Sequence, residues 1–155
     1  MAGALRLSDD EAWDAIARSH TGILTSLRRD GVPITLPVWF AAMDRRVYVS
    51  GPANTKKFAR IGRDGRVGFL VESGERWREL CGVHLTGVAR FVTDAAVLAR
   101  VAEALDVKYA AFRTPREEMP EATRARYRTA SATIEIVPDD RILSWDNARL
   151  TAPRG

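Results

Sequence analysis

The residues best suited to chemistry in this chain lie together in SGPANTKKFARI, residues 50–61. Apolar runs flank the segment, so it reads as the passage from a strand into a short helix. Gly51 lets backbone approach a ligand closely. The free N–H groups at the start of a helix favour anions. The Ser50 and Thr55 hydroxyls can donate hydrogen bonds. Lys56 and Lys57 fall in the first helical turn, where the helix dipole disfavours positive charge unless an anion compensates. Together these features describe a phosphate cradle. A solvated lysine pair on a loop is the other reading of the same residues.

A second candidate is ITLPVWFA, residues 34–41. In an extended strand Trp39 shares a face with Thr35 and Pro37, opposite Leu36, Val38 and Phe40. One face of a barrel wall is core, and the other can be a platform for a flat ring. Packing of Trp39 under a loop or in a subunit contact is the alternative. His20 and His84 are too far apart in sequence to form a spaced metal motif, so no metal is expected. Mid-strand, His84 suits a structural hydrogen bond. Ser8, Ser26, Ser131 and Cys81 have no nucleophile-elbow context. Neither a GxGxxG nor a P-loop occurs. A chain without an acid–base or nucleophile set points to chemistry carried by a bound cofactor.

The elements that must position these residues follow from composition and pattern. The 155 residues suit one domain over 1–155. Hydrophobic residues make up 46%, enough for a core, and 28% charged residues argue against disorder. Trp13, Trp39, Trp77 and Trp145 spread along the chain, as in a single packed unit. The net charge of +4 is a mild excess that fits a small anionic ligand. A nucleic-acid binder would carry a basic stripe interleaved with aromatics, whereas these arginines are scattered beside acids. One cysteine excludes an intrachain disulfide and a cysteine-built metal site. There is no signal peptide and no membrane-length apolar run, so the expected location is cytoplasmic, with no membrane partner. The abundance of Arg and Ala suggests a GC-rich bacterial genome.

SDDE at 8–11 is a capping box ahead of a helix to about Arg18, with Trp13, Ile16 and Ala17 facing inward. Ile23, Leu24 and Leu27 sit in a short apolar run, and RRDG is a hairpin turn. Val32 to Ala42 reads as one strand, irregular or at an edge because of Pro33 and Pro37. MDRR is a turn, and Val47 to Ser50 a strand. Asn54 or Thr55 caps a two-turn helix that buries Phe58 and Ile61. Val67 to Glu72 is the next strand. Leu80 to Thr93 is a long one, with Gly87 marking a bulge or close approach. Val97, Leu98, Val101, Ala102 and Leu105 follow helical spacing. Thr114 to Glu117 forms a second capping box, with Pro115 at the first helical position and Pro120 breaking or restarting the helix. Ala132, Ile134 and Ile136 alternate with Thr133 and Glu135, and a final strand covers Ile142 to Trp145. Six or seven closely joined strands with three or four inserted helices favour a mainly β fold, an antiparallel barrel.

The order PVWF, VYVS, NTKKFARI, RVGFLVE, WREL, GVHLTG, TIEI, ILSWD resembles the pyridoxamine 5′-phosphate oxidase-like family of flavin and deazaflavin proteins. The likeness covers roughly residues 8 to 147 and lies in the order of the segments. It implies a split β-barrel, a homodimer, and FMN or the deazaflavin coenzyme F-420 in a groove between subunits. Carried over, Pro37, Val38, Trp39 and Phe40 line the ring, and Ser50 and Gly51 touch its edge or ribityl chain. Thr55, Lys56 and Lys57 hold the phosphate. GVHLTG comes from the partner or the ring's far side, with Trp77 and His84 as contributors. Arg60, with Lys57 and Arg63 at i, i+3 spacing, suits the carboxylates of an F-420 tail or forms a solvated face. The oxidase branch carries a basic residue on the strand occupied here by ITLPVWFA, and a terminal Arg-x-His. This chain has neither, offering only Arg149 in SWDNARLTAPRG, so pyridoxamine phosphate oxidation is not implied. Hydride transfer to or from a small molecule is, with F-420 slightly ahead of FMN. A non-catalytic carrier of flavin, deazaflavin or haem is the alternative. No protein nucleophile is needed. Tyr48, Tyr109, Tyr127, His84 or solvent could supply a proton.

Overall fold

The computed structural model describes residues 5–150, so the end of SWDNARLTAPRG after Leu150 lies outside the described residues. In chain order the main elements are α1 (Asp9–Arg18), β1 (Gly22–Leu27), β2 (Pro33–Val38), β3 (Ala41–Met43), β4 (Arg46–Pro52), α2 (Lys56–Arg63), β5 (Arg66–Ser73), β6 (Cys81–Phe91), α3 (Ala95–Tyr109), α4 (Glu121–Tyr127) and β7 (Ser131–Asp146). Short 3₁₀ turns cover Trp77–Glu79, Ala110–Phe112, Arg116–Glu118 and Asn147–Leu150.

The strands form one seven-stranded sheet in the order β2-β1-β5-β6-β7-β4-β3, and every pairing is antiparallel. The expected mainly β antiparallel split barrel is what the chain adopts. Its curvature follows from connectivity. The edge strands β2 and β3 are joined only by Trp39 and Phe40. Seven strands laid flat span about 29 Å, whereas three Cα steps reach about 10 Å. The sheet must therefore curl until its edges meet at Phe40. At the opposite end the edges part and α2 fills the gap. Phe58 and Ile61 enter the core, Arg60 Nε donates to Ser26 Oγ of β1 at 3.0 Å, and an Arg63 guanidinium N–H donates to the Leu27 carbonyl at 3.1 Å.

The core lies on the concave face, where Leu24, Phe69, Leu85, Ile134 and Ile136 are buried. On the convex face α3 seals β3 and β4 through Val101 against Ala41 and Tyr48. Local chemistry sets the element ends as the residues suggest. Ser8 and Glu11 make the full capping box, Asp44 and Arg45 take positive φ in the β3–β4 turn, and Asp94 caps α3 through the amides of Ala96 and Val97. The ladder shifts register between Leu85 and Gly87, where a Cβ on Gly87 would lie 2.2 Å from the Val137 carbonyl oxygen.

Four expectations are corrected. The run Val32 to Ala42 is two strands, because burial of Phe40 turns the chain from one sheet edge to the other. The two strands expected after Ser131 are one, Ser131–Asp146, because the shift beside Gly87 lets the ladder run on past Pro138. Ala17 and Ala102 are exposed. The buried stripe of α1 is Ala12 and Ile16 at i, i+4, and Ala17 lies a further 100° round the helix. Thr114 caps no α-helix: Pro115 precedes a single 3₁₀ turn, and α4 begins only after Pro120. A proline disfavours helical backbone in the residue before it, which limits the first turn.

Candidate functional site

The cradle forms where β4 gives way to α2. Ser50 and Gly51 are held in register by Thr133 and Ala132 of β7, and the Ser50 and Thr133 hydroxyls share a hydrogen bond of 2.7 Å. Thr55 occupies the N-cap position of α2 in extended conformation, yet its side chain caps nothing. Its Oγ1 is buried and has no hydrogen-bond partner. Lys57 folds back over the end of β4: its Nζ lies 3.6 Å from the point a Cβ on Gly51 would occupy and 4.8 Å from the Phe58 ring centre. Burial pushes the Lys57 ammonium below the usual lysine value, and no acid in the first turn of α2 offsets it. A buried hydroxyl without a partner and a desolvated ammonium at a helix start each cost free energy, which a hydrogen-bond acceptor or a negative charge would offset. Lys56 is exposed. The bonds of Arg60 and Arg63 turn them along α2 towards β1.

The PVWF segment lies at the other end of the barrel. β2 runs opposite to β4 in the sheet, so Trp39 is separated from the cradle by the length of β2, about 17 Å. Pro37 is exposed on the convex face, while Val38 and Phe40 are buried in the core. Trp39 keeps the alternation, 39% exposed between the buried Val38 and Phe40. It stands beyond the last paired residue and stacks on Tyr109, with ring centres 4.3 Å apart and planes at 2°. Tyr109 is fully buried, and its hydroxyl donates to the His20 carbonyl at 2.7 Å and accepts from the Phe40 amide at 3.0 Å. His20 meets Trp39, Tyr109 and Phe112 edge-on. Beside this cluster the Lys108 Nζ lies 3.7 Å from the Phe40 ring centre, buried and without a polar partner, and burial pulls its pKa down to about 8. Sequence reasoning missed this role for Tyr109 and Lys108. Tyr109 continues the helical stripe at i+8 from Val101 and was open to discovery, whereas nothing local marks Lys108.

The remaining candidates separate. Trp77 is 63% exposed on the turn before β6, and β6 begins at the end of the sheet remote from the cradle. Tyr48 lies against Glu135, which Arg46 grips with one guanidinium nitrogen at 3.1 and 3.0 Å. Burial, followed by the Glu135 charge, raises the Tyr48 phenol. His84 leans over Gly68 on the convex face. Among the described residues no three His, Cys, Asp or Glu side chains gather as metal ligands.

The chain is similar to several known proteins. The family model described as pyridoxamine 5′-phosphate oxidase matches residues 8–140. Among solved structures, a conserved hypothetical protein of Mycobacterium tuberculosis aligns with TM-score 0.80 and 28% identity over 98% of this chain and 92% of the other. A FAD-binding protein of Mycobacterium smegmatis aligns with TM-score 0.63 and 22% identity over 89% and 95%. A heme-binding protein of the same organism aligns with TM-score 0.68 and 16% identity over 94% and 60%. The last two likenesses are of fold. No curated protein sequence matches this one.

Proposed function

Because the chain belongs to the pyridoxamine 5′-phosphate oxidase family, we propose that it holds the phosphate of a flavin-type cofactor at Thr55 and Lys57 and works as an oxidoreductase. The observation that carries this reading is the pair of uncompensated groups: a buried Thr55 hydroxyl with no partner and a desolvated Lys57 ammonium with no acid. A phosphate monoester supplies the acceptor oxygens and the negative charge that both require. Gly51 leaves room beside Lys57, and the Ser50 hydroxyl stands next in line along β4. Lys56 adds charge from the solvent side. A bound flavin or deazaflavin supplies reversible hydride chemistry, so the chain itself needs only to bind, orient and exclude water. The FAD-binding neighbour supports a flavin-type group. The cations Lys57, Arg60 and Arg63 along α2 favour a polyanionic tail such as that of F-420.

The second subunit belongs to the same reading. A row crosses the convex face on directly paired positions: Pro37, Ile23, Leu70, His84 and Leu143. Paired residues share a face, so four apolar side chains and one imidazole line up across five strands. Trp77 and the start of GVHLTG lie far from the cradle of their own chain, and a second copy laid on this row would bring such residues to it. The protein in this reading is a homodimer with the cofactor between subunits and a small molecule as its substrate.

A carrier that binds without turnover is the second reading, and the heme-binding neighbour favours it. Titration of cofactor-free protein with F-420, FMN, FAD and haem, followed by fluorescence quenching, tests both. Tight binding of a flavin or deazaflavin, with turnover of a reducible acceptor, supports the oxidoreductase. Haem binding alone supports the carrier. Binding of none removes the cradle.

A further inference from the structure

A cavity of about 440 Å³ opens where the end of α1 passes over the ends of β5 and β6. Pockets of roughly 300–1,000 Å³ are the usual size for small-molecule sites. It lies at the Trp39 end of the barrel, away from the cradle of its own chain. Its walls come from inward-facing positions: Val71 and Ser73 of β5, and Cys81 and Val83 of β6. Ala15 adds apolar surface from α1. Arg18, Ser19, His20 and Thr21 are its polar members on the α1 side; the Ser19 hydroxyl donates to the Ala15 carbonyl, whereas the Arg18 and Thr21 side chains make no hydrogen bond or ion pair among the described residues. Arg18 and Cys81 both border the space, one from the end of α1 and the other from the start of β6. Glu72 also borders the space, but it pairs with Gly82, which in turn pairs with Trp145 on the convex row, so its carboxylate faces away from Val71 and Val83. His20 closes the remaining side, with its backbone fixed by the Tyr109 hydroxyl. A guanidinium without a partner and the Thr21 hydroxyl, bordering an apolar floor, match a carboxylate on an apolar body.

We propose that this cavity is a binding site for a small apolar carboxylate, with Arg18 as its anion-recognising residue. The inference rests on the cavity itself and not on the cofactor reading, so its failure would leave the cradle standing.

Cys81 is the only thiol in the chain and lines the cavity, which makes it a built-in reporter. The full-length protein is alkylated with iodoacetamide at mildly alkaline pH, and the mass shift is followed over time with 2-naphthoate or 2-naphthamide present. Saturating naphthoate should slow labelling about tenfold, while the neutral amide leaves the rate unchanged. Arg18→Gln should abolish the protection and Arg18→Lys retain most of it. Line broadening of the naphthoate ring protons reads the same occupancy without the thiol. The proposal is overturned if naphthoate neither protects nor broadens, if the amide protects equally, or if Arg18→Gln remains protected.

Discussion

The Lys108 ammonium lies over the face of Phe40, 3.7 Å from the ring centre, and has no polar partner. Burial alone pulls its pKa down from 10.5 to about 8. Below about pH 8 folding must desolvate a charge that the unfolded chain keeps in water. Between about 8 and 10.5 the folded protein has shed the proton while the unfolded chain still holds it, so stability rises with pH across that window. Lys108→Met removes the penalty. It should stabilise the protein at neutral pH by about 1 kcal/mol, a figure reduced for solvent screening at a half-buried site and for the lost cation–π attraction. Urea denaturation across the window should show the gain shrinking as pH rises. A variant less stable than the parent at neutral pH would contradict this account.

Tyr109→Phe tests the pin that holds the crossing between the sheet edges. Its hydroxyl satisfies the Phe40 amide and the His20 carbonyl in a buried setting. Removing it leaves two backbone groups unpaired and should cost about 1–3 kcal/mol in urea denaturation. A loss below a few tenths would mean that water replaces the hydroxyl and that the pin is dispensable.

Thr55→Val separates folding from binding. Because the Thr55 hydroxyl has no partner, the variant should be as stable as the parent without cofactor, or more stable by about 1 kcal/mol. Cofactor affinity should fall about tenfold. Lys57→Ala should weaken it by about 1–3 kcal/mol through loss of a charge-assisted bond. Calorimetric titration measures both, and unchanged dissociation constants in both variants would remove the phosphate from this site.

Leu143→Glu addresses assembly. Leu143 is 58% exposed at one end of the convex row. A carboxylate there would be buried against a second copy, at a cost of several kcal/mol per dimer. Sedimentation at micromolar concentration should show a dimer for the parent and a monomer for the variant. A parent that sediments as a monomer, or a variant that still dimerises, would rule this face out.

How far each feature could be read from the chain tracks the range of the forces behind it. The cradle is legible because its parts are neighbours in sequence: Gly51, Thr55 and Lys57 lie within seven residues at a strand–helix junction. Even there only half the meaning is local. Asn54 or Thr55 was readable as a cap, but that the Thr55 hydroxyl is buried without a partner is visible only in the fold. Trp39 was readable as an exposed aromatic, but its stacking partner lies seventy residues later on α3, and no periodicity links the two. The cavity is more remote still, since Arg18 and Cys81 border one space only when α1 lies over β5 and β6.

The amino-acid sequence by itself determined the capping box at Ser8, the turn at Asp44 and Arg45, the amphipathic stripe of α3, the close approach at Gly87 and the strand-rich antiparallel class. Each follows from hydrogen bonds or sterics within a few residues, or from alternation that says which side of a strand is apolar. Tertiary structure alone decided that β2 and β3 become opposite edges, that one strand runs from Ser131 to Asp146, and that Lys108 meets Phe40. Alternation gives a strand two faces but does not name its neighbours. Strand order is settled by the whole sheet burying Leu24, Phe69, Leu85 and Ile136 at once, and that burial energy is shared across the fold rather than carried by any one segment.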